Sequence, residues 1–349
     1  GSTMPKTTWS VFARTVPCAH RSPSPKTMRH SALIVAAILI GVVLAACSSS
    51  SSTRSNGAPG ASSGTTHAAA TVFPVTIHAA NGNIRIPARP TAIVSLSPTA
   101  TEMLYAIGAG NQVKAVDEDS DYPSSAPRTS LSGVQPNVEA IVAYHPDLVV
   151  IVRDSTGLTP ELGALGVPVL SEPAPTTLGD AYEQFEQLGT ATGHPAQARA
   201  EVTHILAQIT SIVHSAPKPV APATYYYELD QTYYSLTSST FVGRLLGLLG
   251  LKDIADAATG AASSGGYPQL SAEFIINANP QYIFLADTIC CQQSATTVTA
   301  RPGWSSLRAV SDGHVFGLND DIASRWGPRI VDLLRTVANA LATKHPAHT

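Results

Sequence analysis

From about residue 92 onward, short continuous apolar runs alternate with longer stretches whose apolar residues recur every three or four positions. The runs are Ala92–Leu96, Val113–Val116, Asp147–Val152 and Val167–Leu170, then Ala223–Leu229, Tyr282–Leu285 and His314–Gly317. Each reads as a strand buried on both faces, as in a parallel sheet covered by helices. The periodic stretches predict helices. A turn at Ser97–Glu102 opens the first, with Met103, Leu104 and Ile107 on its apolar face and Gly108 as its stop. Others follow at Asn137–Tyr144, Thr159–Leu165, Leu178–Leu188, Pro195–His214, Thr240–Leu249, Ala272–Ala278 and Pro328–Ala342, the last with its proline at the favoured first turn. Ahead of them, Phe73–His78 and Ile84–Ile86 flank Asn81-Gly82, a pair that favours a tight hairpin turn. The predicted fold is α/β, with two lobes, each a mainly parallel sheet flanked by helices, joined by a single long helix. Residues 72–194 form the first lobe, 195–216 the linking helix and 217–349 the second lobe.

The N-terminal region follows a different pattern. Residues 1–27 are polar, with bases and no acids, and are set aside from fold reasoning; Met4 and Met28 both stand open as starts. Arg29 and His30 then precede an apolar run from Ala32 to Ala46, shorter than the ~20 residues of a membrane span. A basic start, a short apolar core and small residues at its end describe a signal peptide, here residues 1–46 with the upstream extension. The run ends Leu44-Ala-Ala-Cys47, which resembles the bacterial lipobox, where cleavage falls before a cysteine that then carries lipid. An ordinary secretory signal is the alternative. The Ser/Gly-rich stretch through residue 71 has too little apolar surface to fold and reads as a disordered tether. The expected location is outside the cell, lipid-anchored on the outer face of the cytoplasmic membrane.

Charged residues make up 13% of the chain and the net charge is −3, without the basic patch that nucleic acid requires. Of the four cysteines, Cys18 and Cys47 precede the folded part, leaving only the adjacent Cys290-Cys291, which is no disulfide framework. The pair reads as a vicinal disulfide that stiffens its loop or as thiols near a ligand. No Gly-x-Ser-x-Gly elbow, His-Glu-x-x-His or phosphate loop is present, and His145 and His314 form no metal-spaced cluster. Neither an enzyme activity nor an intrinsic cofactor is expected.

Five segments carry a family resemblance. They are Ile93–Leu104, Asp119–Pro123, Pro136–Ile141 with His145–Val150, Tyr267–Glu273 and Arg325–Arg329. In this order and spacing the chain, over roughly residues 75 to 345, resembles the helical-backbone (class III) solute-binding proteins of ABC importers for cobalamin, ferric siderophores and haem. The resemblance implies a stiff linking helix, small hinge motion, and a ligand cleft between the lobes at the ends of their strands. It implies a monomeric binding protein that delivers its ligand to a permease driven by an ATPase.

On that basis the cleft is expected to include Pro98 and Thr99, which open a helix after the first strand. It is also expected to include Asp119 and Tyr122 after the second, and Arg153 after the third. Asp117 and Asp121 read as solvated loop. From the second lobe come Glu228, Tyr233, Tyr234 and Tyr267, then Asp321, Arg325 and Trp326 before the last helix. Strand alternation puts Tyr225 and Tyr227 on one face and Tyr226 and Glu228 on the other. Asp119 and Arg153 replace aromatic contacts of the cobalamin-binding relative, so a polar cleft for a ferric siderophore or a cobalamin-like corrinoid is expected. Haem, on a tyrosine or cysteine, is an alternative, as is a sensor or scaffold lipoprotein without transport. Glu273 matches an acidic residue that docks on the permease, and Glu161 lies on the corresponding helix of the first lobe.

Overall fold

The computed structural model describes residues 71–218 and 222–343. The expected signal peptide, Cys47 and the tether up to residue 70 lie outside the described residues.

The first lobe opens with an antiparallel hairpin, β1 (Val75–Ala79) and β2 (Gly82–Ile86). It continues with β3 (Ile93–Leu96), α1 (Pro98–Ala106), β4 (Val113–Asp117), β5 (Arg128–Leu131), α2 (Val138–Val142), β6 (Leu148–Ile151), α3 (Leu158–Ala164), β7 (Val169–Ser171) and α4 (Leu178–Thr192). Helix α5 (Pro195–Ser215) links the lobes. The second lobe holds β8 (Ala223–Glu228), α6 (Phe241–Gly247), β9 (Leu251–Asp253), α7 (Ala272–Ala278), β10 (Tyr282–Leu285), α8 (Ala295–Thr299), α9 (Arg308–Ser311), β11 (Val315–Gly317), α10 (Asp320–Ser324) and α11 (Ile330–Ala342). The sheet orders are β5-β4-β3-β6-β7 and β11-β10-β8-β9, and every pairing in both is parallel.

The two-lobed parallel architecture agrees with the pattern of apolar runs. Strands β3 and β6 are buried at every position, as helices on both faces require. Three details differ. The hairpin turns on Ala80-Asn81, and Gly82, at φ 109°, is already paired with Ala79. The Asn81 side chain instead holds the edge strand β7, donating to the Val169 carbonyl (2.9 Å) and accepting from the Ser171 amide (3.2 Å). Helix α4 runs past Leu188 to a left-handed cap at Gly193, φ 80°. Helix α11 begins at Ile330 rather than Pro328.

One apolar core runs through the inner faces of both sheets, with Met103, Leu104 and Val150 from the first lobe and Tyr225, Tyr227 and Phe284 from the second. Helices α4, α5 and α11 contribute Phe185, Ile205, Ile209, Leu334 and Val337 to it. Two smaller clusters cover the outer faces, one around Leu96, Ile141 and Leu162, the other around Tyr226, Trp304 and Leu285. Helices α4 and α5 approach closely because residue 189 is glycine; a Cβ there would stand 2.5 Å from the Ala198 Cβ. Among the described residues no helix is long and apolar enough to cross a membrane.

Candidate ligand-binding site

In a parallel sheet the segments that leave the carboxyl ends of the strands lie together, and ligands gather there. From the first lobe these are the turn at Ser97–Thr99, the loop 118–123 after β4, and Arg153-Asp154 after β6. From the second they are the loop after β8, residues 287–293 after β10, and 318–329 after β11.

Arg325 joins the two groups. Its Nη1 donates to Glu102 Oε1 (3.0 Å) and Asp121 Oδ1 (2.9 Å) in the first lobe. Its Nη2 donates to the Asp119 carbonyl (3.0 Å) and, within its own lobe, to Asp321 Oδ1 (2.7 Å). Glu102, only 1% exposed in α1, also accepts from Arg329 Nε (2.9 Å) and Nη2. The Arg329 guanidinium in turn lies 4.2 Å from the centre of the exposed Tyr122 ring. Two guanidiniums therefore meet three carboxylates where the lobes face each other. Burial alone would raise the Asp121 carboxyl, but Arg325 outweighs it and holds it low. Burial wins at Asp321, which is raised despite Arg325. Asp117, read from sequence as solvated loop, is instead the buried last residue of β4, and desolvation chiefly pushes its carboxyl up to about 6.

The structure brings Asp119, Tyr122, Asp321 and Arg325 together; Asp119 takes part through its carbonyl while its side chain stays exposed. It adds Glu102, Asp121 and Arg329. Asp121, read from sequence as solvated loop, is an interlobe ion-pair partner. The signal for Glu102 and Arg329 was their place inside the family segments; buried charge leaves no periodic pattern. Trp326 caps the same seam, donating to Gln184 Oε1 of α4 (2.7 Å), and Gln184 Nε2 in turn donates to the Pro173 carbonyl. Pro98 is half-buried and Thr99 buried at the start of α1, under the Ser97 cap. Arg153 stands exposed beside Asp154, whose carboxylate caps α3 through four backbone amides.

Of the second-lobe tyrosines, Tyr227 reaches α10, its hydroxyl donating to the Ala323 carbonyl (3.2 Å). Tyr225, Tyr226 and Tyr227 are buried, the first and third in the inner core and the second in the outer, as alternation predicted. Glu228, expected at the cleft, is fully buried. Arg301 takes both its oxygens at 2.6 Å and adds a bond to Gln293 Oε1 at 2.8 Å. An unpaired carboxylate could not be kept out of water here, so the arginine fixes it inward. Arg301 lies over Trp304 (4.6 Å), and Tyr233, at φ 70°, stacks on the same indole (5.6 Å). Tyr234 is half-buried and bridges to Gln269, and Tyr267 is half-buried against the inner core. Glu161 and Glu273 are exposed in the first turns of α3 and α7, one in each lobe.

The seam is bridged by its own side chains. Two open hollows lie away from it. One, of about 390 Å³, is between α5 and α11, and the other, of about 380 Å³, is at the starts of α2 and α3 beside Glu139 and Glu161. Neither gathers charged groups from both lobes, so the seam remains the candidate site.

Comparison with known proteins agrees with this architecture. Residues 93–322 match the family model described as periplasmic binding protein. A relative from Bacillus subtilis, named an uncharacterized ABC transporter substrate-binding lipoprotein (YvrC), is 28% identical over 77% of this chain and 86% of its own. A cobalamin-binding protein of Halobacterium salinarum is 30% identical over 77% of this chain and 74% of its own. Among solved structures, the periplasmic vitamin B12 binding protein BtuF of Vibrio cholerae superposes with a TM-score of 0.58 at 26% identity, covering 73% of this chain and 97% of that one. These relatives are named as binding proteins, not enzymes. With parallel sheets in both lobes, one linking helix and a polar seam at the strand ends, the chain belongs to the periplasmic binding protein family.

Proposed function

We propose that the protein is the solute-binding component of an ABC importer, lipid-anchored through Cys47, which captures a metal chelate between its lobes and delivers it to a permease. The observation that carries this is the Arg325 cluster, in which polar and charged groups of both lobes converge at the strand ends. A ligand entering there exchanges its own polar groups for those that Arg325 and Arg329 now hold, so binding can be selective without much motion. The exposed Tyr122 ring offers one flat apolar surface beside them. The names of the cobalamin- and vitamin B12-binding relatives support a corrinoid; the polar surround equally suits a ferric siderophore. Glu161 and Glu273, exposed on separate lobes, are the groups we assign to permease docking.

Calorimetric titration of the protein with cyanocobalamin, haem and a ferric hydroxamate tests the reading. Saturable binding of one chelate at micromolar or tighter affinity is expected, weakened at least about tenfold by Arg325→Ala. No binding across the panel would overturn it.

A further inference from the structure

Cys290 and Cys291 are not absorbed by the binding site, yet their loop is built with care. Both are half-buried, and their sulfurs lie in contact at 2.8 Å. The backbone around them is pinned from two sides. Asp320 accepts from the amides of Ile289 (3.0 Å) and Cys290 (2.8 Å) and from Thr288 Oγ1 (3.0 Å). The Asp287 carbonyl accepts from the amides of Cys291 and Gln293, both at 3.2 Å. Asp320 is also the first residue of α10, whose next residue is Asp321 and whose cap is Arg325. The dithiol is thus one hydrogen bond from the helix that carries the interlobe clasp.

We propose that Cys290-Cys291 is a two-electron thiol–disulfide site whose oxidation shifts α10 and thereby alters the Arg325 clasp. The oxidant is a small-molecule disulfide. One cysteine thiolate attacks a sulfur of that disulfide and displaces one external thiolate, which takes up the cysteine's proton. The second cysteine then attacks the mixed disulfide, releases the other external thiol and closes the vicinal ring. Two cysteine sulfurs are oxidised and one external disulfide is reduced to two thiols.

Ring closure must move backbone. Adjacent Cα atoms stand ~3.8 Å apart, closer than the roughly 4.4 Å lower limit of ordinary disulfides. The change falls on the Cys290–Cys291 peptide inside the ring, immediately next to the Cys290 amide that Asp320 holds. Burial, with Cys291 and Asp320 beside it, raises the Cys290 thiol, so exchange runs faster as the pH rises. The effect on cargo rests on the cleft reading above; the chemistry and the movement do not.

The test treats the full chain with oxidised glutathione or a reductant, followed by alkylation and peptide mass mapping. The expected result is a 290–291 peptide that is alkylated twice when reduced and that loses two hydrogens, without alkylation, when oxidised. Persistent double alkylation, or a mixed disulfide that never resolves, would overturn the site. Hydrogen exchange on the same samples reads the coupling. Amides of 319–325 should change rate several-fold on oxidation, and should not change in Cys290→Ser or Cys291→Ser. Equal rates in both redox states would overturn the link to the clasp. Neither readout uses a ligand, so failure here is distinct from failure of the transport reading.

Discussion

Glu102 and Asp332 are both acids paired with arginine on a helix, yet their surroundings make them energetically different. Glu102 is shielded from water and has three guanidinium hydrogen bonds, whereas the Asp332–Arg335 pair is about half exposed on each side. Removing Arg329 takes two of Glu102's three guanidinium bonds and leaves only that of Arg325, a loss of up to about 3 kcal/mol, while an exposed pair contributes under about 1 kcal/mol. Arg329→Met should therefore lower the urea midpoint clearly and Arg335→Ala hardly at all. This contrast was illegible in the sequence, because a charged residue carries no mark of whether folding will bury it. Arg325 and Asp321 were found through the family resemblance, whereas Asp117, read as solvated loop, and Glu228, read as cleft-facing, are both buried.

Titration follows the same logic. Asp253 is buried and its carboxyl is pushed up to about 8, mainly by desolvation. The native state therefore keeps a proton that the unfolded chain loses near pH 4. Its contribution to stability is full below about pH 4 and is lost as the pH rises toward 8. Asp287, also at about 8, has the same sign. Asp253→Asn stays neutral and preserves the acceptor for the Ala255 amide. Its stability relative to the parent should rise by up to about 1.4 kcal/mol per pH unit across that window. Urea midpoints at pH 5 and pH 8 measure this; a constant difference would show that Asp253 is ionised in the fold.

At the scale of elements, the central strands β3 and β6 and the edge strand β7 were legible because they are buried at every position, and the half-buried β11 was read from His314–Gly317. Edge strands β5, with Arg128, Thr129 and Ser130, and β9, with Lys252, have no unbroken apolar run and were missed. Short helices α8, α9 and α10 were missed because they are too brief for periodicity to register. The long α5 was plain from its period and its opening proline. What its pattern did not show is how closely it meets α4. Gly189→Ala would force a methyl into the Ala198 side chain and the His194 carbonyl, at 2.5 and 3.1 Å. Overpacking of this kind costs about 1–3 kcal/mol, and a thermal melt should show it directly. A change under about 0.5 kcal/mol would mean that the two helices can part freely.

Across the whole molecule, the inner core continues from one lobe into the other through α4, α5 and α11. A wide hinge opening would split that core, so at the proposed site ligand exchange would be confined to rearrangement at the seam. The same frame places Glu161 and Glu273, the groups proposed for permease docking, on different lobes. The central claim is that cargo sits where Arg325 joins the two lobes. Hydrogen–deuterium exchange of the protein, with and without the chelate that binds it, tests that claim most directly. The account predicts slower exchange on both sides of the seam, in residues 97–103 and 117–123 and in 318–329. Protection limited to one lobe, or centred on the hollow between α5 and α11, would contradict it.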